Sequence, residues 1–189
     1  MIFGIVLFTN NTVEVEKKEE KSSTEIITVI QYKDSDILFL KNNFTAFKEA
    51  LAFKESQGKY TAVNTLGYLG KYQFGITTLD RFRIKNSEAF LKNPELQEKA
   101  FAALCSVNKW ILRKDIQRKV GKTINGITIT ESGILAAAHL SGAGNVKKYL
   151  RSNGTHNLSD AYGSSIQYYM KKFAGYNLSE IEGDRKATI

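Results

Sequence analysis

Apolar residues recur every three to four positions over Phe44-Thr45-Ala46-Phe47-Lys48-Glu49-Ala50-Leu51-Ala52-Phe53-Lys54-Glu55, and Asn43 stands where an N-cap is needed. The spacing predicts a helix over 44–55. Phe44, Phe47, Leu51 and Glu55 share one face of it, which carries an acid to the edge of the core. After Gly58 the pattern breaks into short pieces punctuated by Gly67, Gly70 and Gly75, with Tyr68, Leu69, Tyr72 and Phe74 between them. This suits a small β-hairpin or irregular wall. Helical spacing returns over 77–82, and Pro94 then opens a long helix through Leu96, Ala100, Ala103, Val107 and Ile111 towards Val120, stopped by Gly121. An Asn125-Gly126 turn follows, and Thr128 with Glu131 reads as a capping box for a helix over 132–140. The Gly142-Ala143-Gly144 joint leads into a helix over 146–150, and Ser164 or Ser165 caps a last one through Phe173. The whole pattern predicts a mostly α domain in which a small hairpin or irregular wall lines a cleft.

The first forty residues have a different texture. Ile2–Phe8 is apolar but too short to span a bilayer; it fits either the apolar part of an export signal lacking its basic start, or a strand. Residues 10–24 are polar and charge-dense and read as a solvated tether, while Ile26-Ile27-Thr28-Val29-Ile30 suits a short strand. Residues 1–40 are therefore expected to be an extension, 41–180 the folded domain and 181–189 a tail. A chain of 189 residues with 42% hydrophobic positions can bury one core but is short for two.

The net charge of +8 attracts anionic partners at long range without naming them. Arg113, Lys114, Arg118, Lys119 and Lys122 gather near one helix end, but no nucleic-acid motif accompanies them, so no specific nucleic-acid partner is expected. The lone Cys105 excludes an intrachain disulfide and reads as a small buried hydrophobe. With His139 and His156 it shows no zinc-ligand spacing, so neither a metal nor a cofactor is expected. No transmembrane segment is expected, and the chain reads as a monomer.

Glu55 is the candidate for chemistry. Cleaving a glycosidic bond requires a proton delivered to the leaving oxygen, and a carboxyl group set against apolar side chains at the end of a helix suits that task. Between Glu55 and Gln73 there is no other acid, and the nearest downstream is Asp80, whose neighbour Arg81 suggests a surface ion pair.

Glu55-Ser56, then Ala62, Gly67, Gly70-Lys71-Tyr72-Gln73 and Thr78 resembles the signature of lytic transglycosylases in the lysozyme-like superfamily, in which Glu-Ser is followed by Ala, Gly-Leu-Met-Gln and Thr. A second block, Ala137-Ala138-His139-Leu140-Ser141-Gly142-Ala143-Gly144-Asn145-Val146, is similar to that family's Ala-Ala-Tyr-Asn-Ala-Gly-Pro-Gly-x-Val. The resemblance covers roughly residues 44–152. It departs at Tyr72, where the family has Met, and at His139-Leu140, where it has Tyr-Asn.

The resemblance implies an α+β lysozyme-like fold and an enzyme that cleaves the β-1,4 strand of peptidoglycan between N-acetylmuramic acid and N-acetylglucosamine. Glu55 would be its single acid and base, since the acetamido group and 6-hydroxyl of the substrate replace a second carboxylate. Ser56 and Gln73 would position the glycan and the carboxyl, Tyr68 and Tyr72 would offer flat faces and hydroxyls to sugar rings, and Thr78 and His139 would line the site. Hydrolysis by a true muramidase stays open, with Asn64 or Asp80 orienting water, as does a non-catalytic wall-binding module. Either way the partners are peptidoglycan strands and anionic wall polymers, and the expected location is secreted, periplasmic or at the cell envelope.

Overall fold

The computed structural model describes residues 7–9, 12–14 and 42–189. Two strands, β1 (Leu7–Thr9) and β2 (Thr12–Glu14), form an antiparallel ribbon in which Phe8 faces Val13 and Thr9 faces Thr12. Strand β2 lies inside the stretch expected to be a solvated tether; its Thr-Val pair is β-branched and favours extended backbone. The predicted strand over 26–30 lies outside the described residues.

Residues 42–189 form a mostly helical unit. Helix α1 (Phe44–Ser56) starts where expected, with the Asn43 side chain accepting from the Ala46 amide at 3.0 Å. It ends as Gln57 turns left-handed and donates back to Ala52 and Phe53. Helices α2 (Ile76–Arg81) and α3 (Ser87–Leu91) are short, and α4 (Pro94–Lys119) is the long predicted helix, opened by Asn93 and Pro94. A two-residue ladder, β3 (Thr123–Ile124) against β4 (Ile127–Thr128), brackets the Asn-Gly turn. Helices α5 (Glu131–Ser141), α6 (Ala143–Arg151) and α7 (Ile166–Lys172) complete the domain. Ser165 caps α7, accepting from the Tyr168 amide.

The cap of α5 differs from expectation. Thr128 is committed to the ladder opposite Thr123, so Thr130 takes the role and accepts from the Gly133 amide at 3.1 Å. Glu131 is then free to meet Lys109 on α4 at 2.7 Å.

Helix α5 is the central element: every residue from Ser132 to Ala138 is buried. It approaches α7 so closely that a Cβ on Gly133 would lie 2.5 Å from the Met170 carbonyl oxygen. Gly133→Ala is therefore expected to destabilise by about 2 kcal/mol, because backbone cannot yield there and overpacking outweighs the helix-propensity gain of about 1 kcal/mol. Thermal unfolding checks it, and an unchanged or raised Tm would show that the two helices can separate.

The aromatic core joins α1, α4 and the wall segment. The rings of Tyr72 and Phe101 stack at 4.0 Å and 12°, and Phe44, Phe47 and Phe101 lie about each other at 6.1–6.3 Å. Within the tail over 181–189, residues 182–184 lie against α4. Ser106 donates to the Glu182 carbonyl and receives the Asp184 amide, and Gly183 lies against the backbone of Trp110.

Candidate functional site

Glu55 sits in the last turn of α1, half-buried. Its Oε1 accepts a 2.7 Å hydrogen bond from the hydroxyl of Tyr169, a residue of α7 that is 2% exposed. Burial, and then the neighbouring charge of Glu55, push the Tyr169 phenol far above its ordinary range, so it stays a donor at any working pH. With Oε1 so fixed, Oε2 takes no hydrogen bond from the described residues.

The carboxyl faces a groove. One lobe, of about 290 Å³, is lined by Glu55, Asn64, Tyr68, Gln73, His139, Asn145 and the 158–162 loop. A second, of about 410 Å³, shares Glu55, Asn64, Gln73, Asp160 and Tyr162 and adds Lys54, Val63, Thr65, Ser164 and Tyr169. The 63–68 and 158–164 loops meet where the hydroxyls of Thr65 and Tyr162 lie 2.8 Å apart. Flat and apolar surface is abundant here: Leu66, Tyr68 and Tyr162 are 55%, 42% and 60% exposed.

Five of the residues expected at the site from the sequence thus line one groove: Glu55, Asn64, Tyr68, Gln73 and His139. Asn64 Oδ1 accepts from the amides of Leu66 and Tyr68, which fixes the loop that presents Tyr68. Gln73 holds a left-handed backbone, φ 52°, at a cost on the order of 1 kcal/mol for a residue with a Cβ. Its amide nitrogen donates to the Gly70 carbonyl, leaving Oε1 as its remaining acceptor.

His139 Nε2 lies 2.8 Å from the Tyr72 carbonyl; a carbonyl only accepts, so Nε2 carries the proton. Its Nδ1 is buried with no partner. The rings of Phe74 and Phe101 stand edge-on to it, at 6.0 and 5.5 Å.

Three expected contacts lie elsewhere. Tyr72 is fully buried, stacked on Phe101 with its hydroxyl on Glu98, and so offers no face to a ligand. Ser56 donates to the Lys71 carbonyl at 2.7 Å and accepts from the Lys59 amide, which fastens the end of α1 to the wall without lining the groove. Thr78, on α2, lines neither lobe. Asp80 is also outside both and pairs with Lys85 at 2.7 Å on the surface. Asp160, Tyr162 and Tyr169 join the groove without a signal in the sequence. Asp160 sits in a polar turn, where its Oδ1 accepts from the Tyr162 and Ser164 amides, and such a turn gives no periodic signal.

Behind the wall lies a charged cluster. Lys71, with a side chain 5% exposed, donates to Glu49 at 2.7 Å, Glu98 at 2.9 Å and Tyr60 at 3.2 Å. Glu98 also takes Lys48 and the hydroxyls of Tyr60 and Tyr72. Burial opposes the charge on Glu98, but hydrogen bonds from Lys48, Lys71, Tyr60 and Tyr72 outweigh it and hold its carboxyl down at about 2. Burial likewise disfavours charged Lys71, and its bonds to Glu49, Glu98 and Tyr60 reverse that, raising it above the ordinary lysine range.

Cys105 is buried in α4, and burial pushes its thiol far up, which leaves it a small apolar group without nucleophilic character. Among the described residues no three His, Cys, Asp or Glu side chains gather as a metal site requires, and no helix is long and apolar enough to cross a membrane. No family model matches the chain, and searches of curated proteins and of solved structures found no match either.

Proposed function

We propose that this chain cleaves peptidoglycan glycan strands between N-acetylmuramic acid and N-acetylglucosamine as a lytic transglycosylase, with a lysozyme-like fold and Glu55 as its acid and base. The observation that carries the reading is the setting of Glu55: one carboxyl oxygen held by a buried phenol, the other unengaged, on the wall of a groove flanked by exposed Tyr68 and Tyr162 and by the amides of Asn64 and Gln73. Polyhydroxylated rings bind to such surfaces by stacking and by hydrogen bonds. The resemblance of the Glu55–Thr78 and Ala137–Val146 blocks to lytic transglycosylases names the polymer.

In this mechanism the Glu55 carboxyl gives its proton to the glycosidic oxygen as the C1–O bond breaks, and the acetamido group of the muramic acid stabilises the cationic sugar. The carboxylate then takes the proton of the 6-hydroxyl, whose oxygen closes on C1 to give an anhydro ring; no water is consumed. Tyr169 keeps the carboxyl aimed throughout. The substrate lies outside the cytoplasmic membrane, which puts the work of the chain at the cell envelope.

A hydrolytic reading is favoured by one observation, the presence of Asp160 in the same groove. A second carboxylate facing Glu55 is what a two-acid glycosidase requires. Mass spectrometry of digested wall separates the two. Anhydro-muramic ends, with Asp160→Asn retaining most activity, are expected; reducing muramic ends and a loss of roughly a hundredfold or more in Asp160→Asn would replace the transglycosylase by a muramidase.

A further inference from the structure

We propose that a hollow beside the groove is a subsite for the carboxylate-bearing peptide attached to the same wall strand, an inference that rests on the glycan-cleaving reading of Glu55. The hollow, of about 530 Å³, is bounded by Phe53 and Lys54 of α1, by Gln57 just after it, and on the far side by Lys172 and Tyr176. Lys54 precedes the acid in sequence and lines both this hollow and the groove lobe that holds Glu55, so the hollow adjoins the groove.

Its surface is built for a mixed apolar and anionic ligand. Phe53 is 72% exposed although its neighbours Leu51 and Ala52 are fully buried, which keeps a phenyl ring in water at the rim. The ammonium groups of Lys54 and Lys172, both lining the hollow, each lie 5.9 Å from the ring of Tyr168, which is 45% exposed and outside the hollow's own lining. Neither lysine takes part in a salt bridge among the described residues. The hollow is lined by these two lysines and by no acid, so it is electropositive and favours a carboxylate. On an intact strand the lactyl carboxyl of the muramic acid is tied up in the amide to the peptide, so the free carboxylates are those of the peptide.

The test compares strands with intact peptides and the same strands with their peptide carboxylates converted to amides, using the full chain. Wild type is expected to show the higher kcat/KM on strands with free peptide carboxylates, and Lys172→Glu to reduce the ratio of the two by roughly fivefold. Phe53→Ser is expected to reduce it in the same direction. An unchanged ratio in Lys172→Glu overturns the subsite.

Binding gives a second readout that does not need turnover. A soluble disaccharide-tripeptide, titrated by calorimetry, is expected to bind wild type more tightly than Lys172→Glu, and the same compound with its carboxylates amidated should lose that difference. Equal binding of both compounds to both proteins overturns the proposal. If wild type binds with this preference yet cleaves neither kind of strand, the reading of Glu55 fails and the subsite stands.

Discussion

Glu55→Gln is expected to lower the rate of glycan-strand cleavage by roughly a thousandfold while leaving the fold intact. An amide of nearly the same volume can still accept the Tyr169 hydroxyl, which donates to Glu55 Oε1 at 2.7 Å, so the contact between α1 and α7 survives. What it cannot do is release a proton to a leaving oxygen or recover one from a hydroxyl. The damage therefore falls on kcat, with KM for wall fragments changed little, because the stacking surfaces of Tyr68 and Tyr162 are untouched. Clearing of purified wall suspensions measures the rate, and a melting curve shows whether the variant is folded. A variant that clears wall as fast as wild type removes Glu55 from the chemistry. A wild type that binds wall without clearing it would mark the groove as a binding module.

Local chemistry was legible in the sequence where one short segment decides the outcome. Asn43 and Pro94 start α1 and α4 because a cap or a missing amide acts within one turn, and Asn125-Gly126 makes its turn for the same reason. The errors arose where a residue had a rival use. Thr128 looked like a cap until β4 claimed its backbone, and α3 escaped notice because only Phe90 of its five residues is buried.

Tyr72 shows the limit most plainly. Alternation across 70–75 says that successive side chains point to opposite sides, but not which side is core. The segment runs between groove and core, so Gln73 lines the one and Tyr72 fills the other. Tyr169 reaches Glu55 from 114 positions away, a distance over which spacing carries no information.

The charged cluster behind that wall leads to the second large effect. Glu98→Ala is expected to destabilise the domain by about 3 kcal/mol, near the lower bound for leaving a buried partner uncompensated, since Glu49 still meets Lys71. The sign of its pH dependence is fixed by the direction of each shift. The Glu98 carboxyl is held at about 2 in the folded protein against an ordinary 4.5, so its contribution is fully present above pH 4.5 and fades as pH falls towards 2. At most it amounts to about 3 kcal/mol, less after solvent screening, because 23% of the side chain is exposed. Lys71 is raised, so its share is present below its ordinary 10.5 and is lost as pH climbs beyond that. Denaturant titrations from pH 2 to 6 should therefore show wild type losing stability with acid more steeply than Glu98→Ala. Parallel curves for the two proteins would mean that the carboxyl is not held down by its donors.

The double variant Glu98→Leu/Lys71→Met separates charge from packing. It removes both charges together, and its cost should fall short of the two single losses by about 1.5 kcal/mol or more. The groove would still feel it: Tyr72 loses the acceptor of its hydroxyl, and the Tyr72 carbonyl is what holds His139 Nε2 on the groove side. A stable double variant with weakened strand binding and an unchanged chemical step would show that the cluster serves the wall as well as the core.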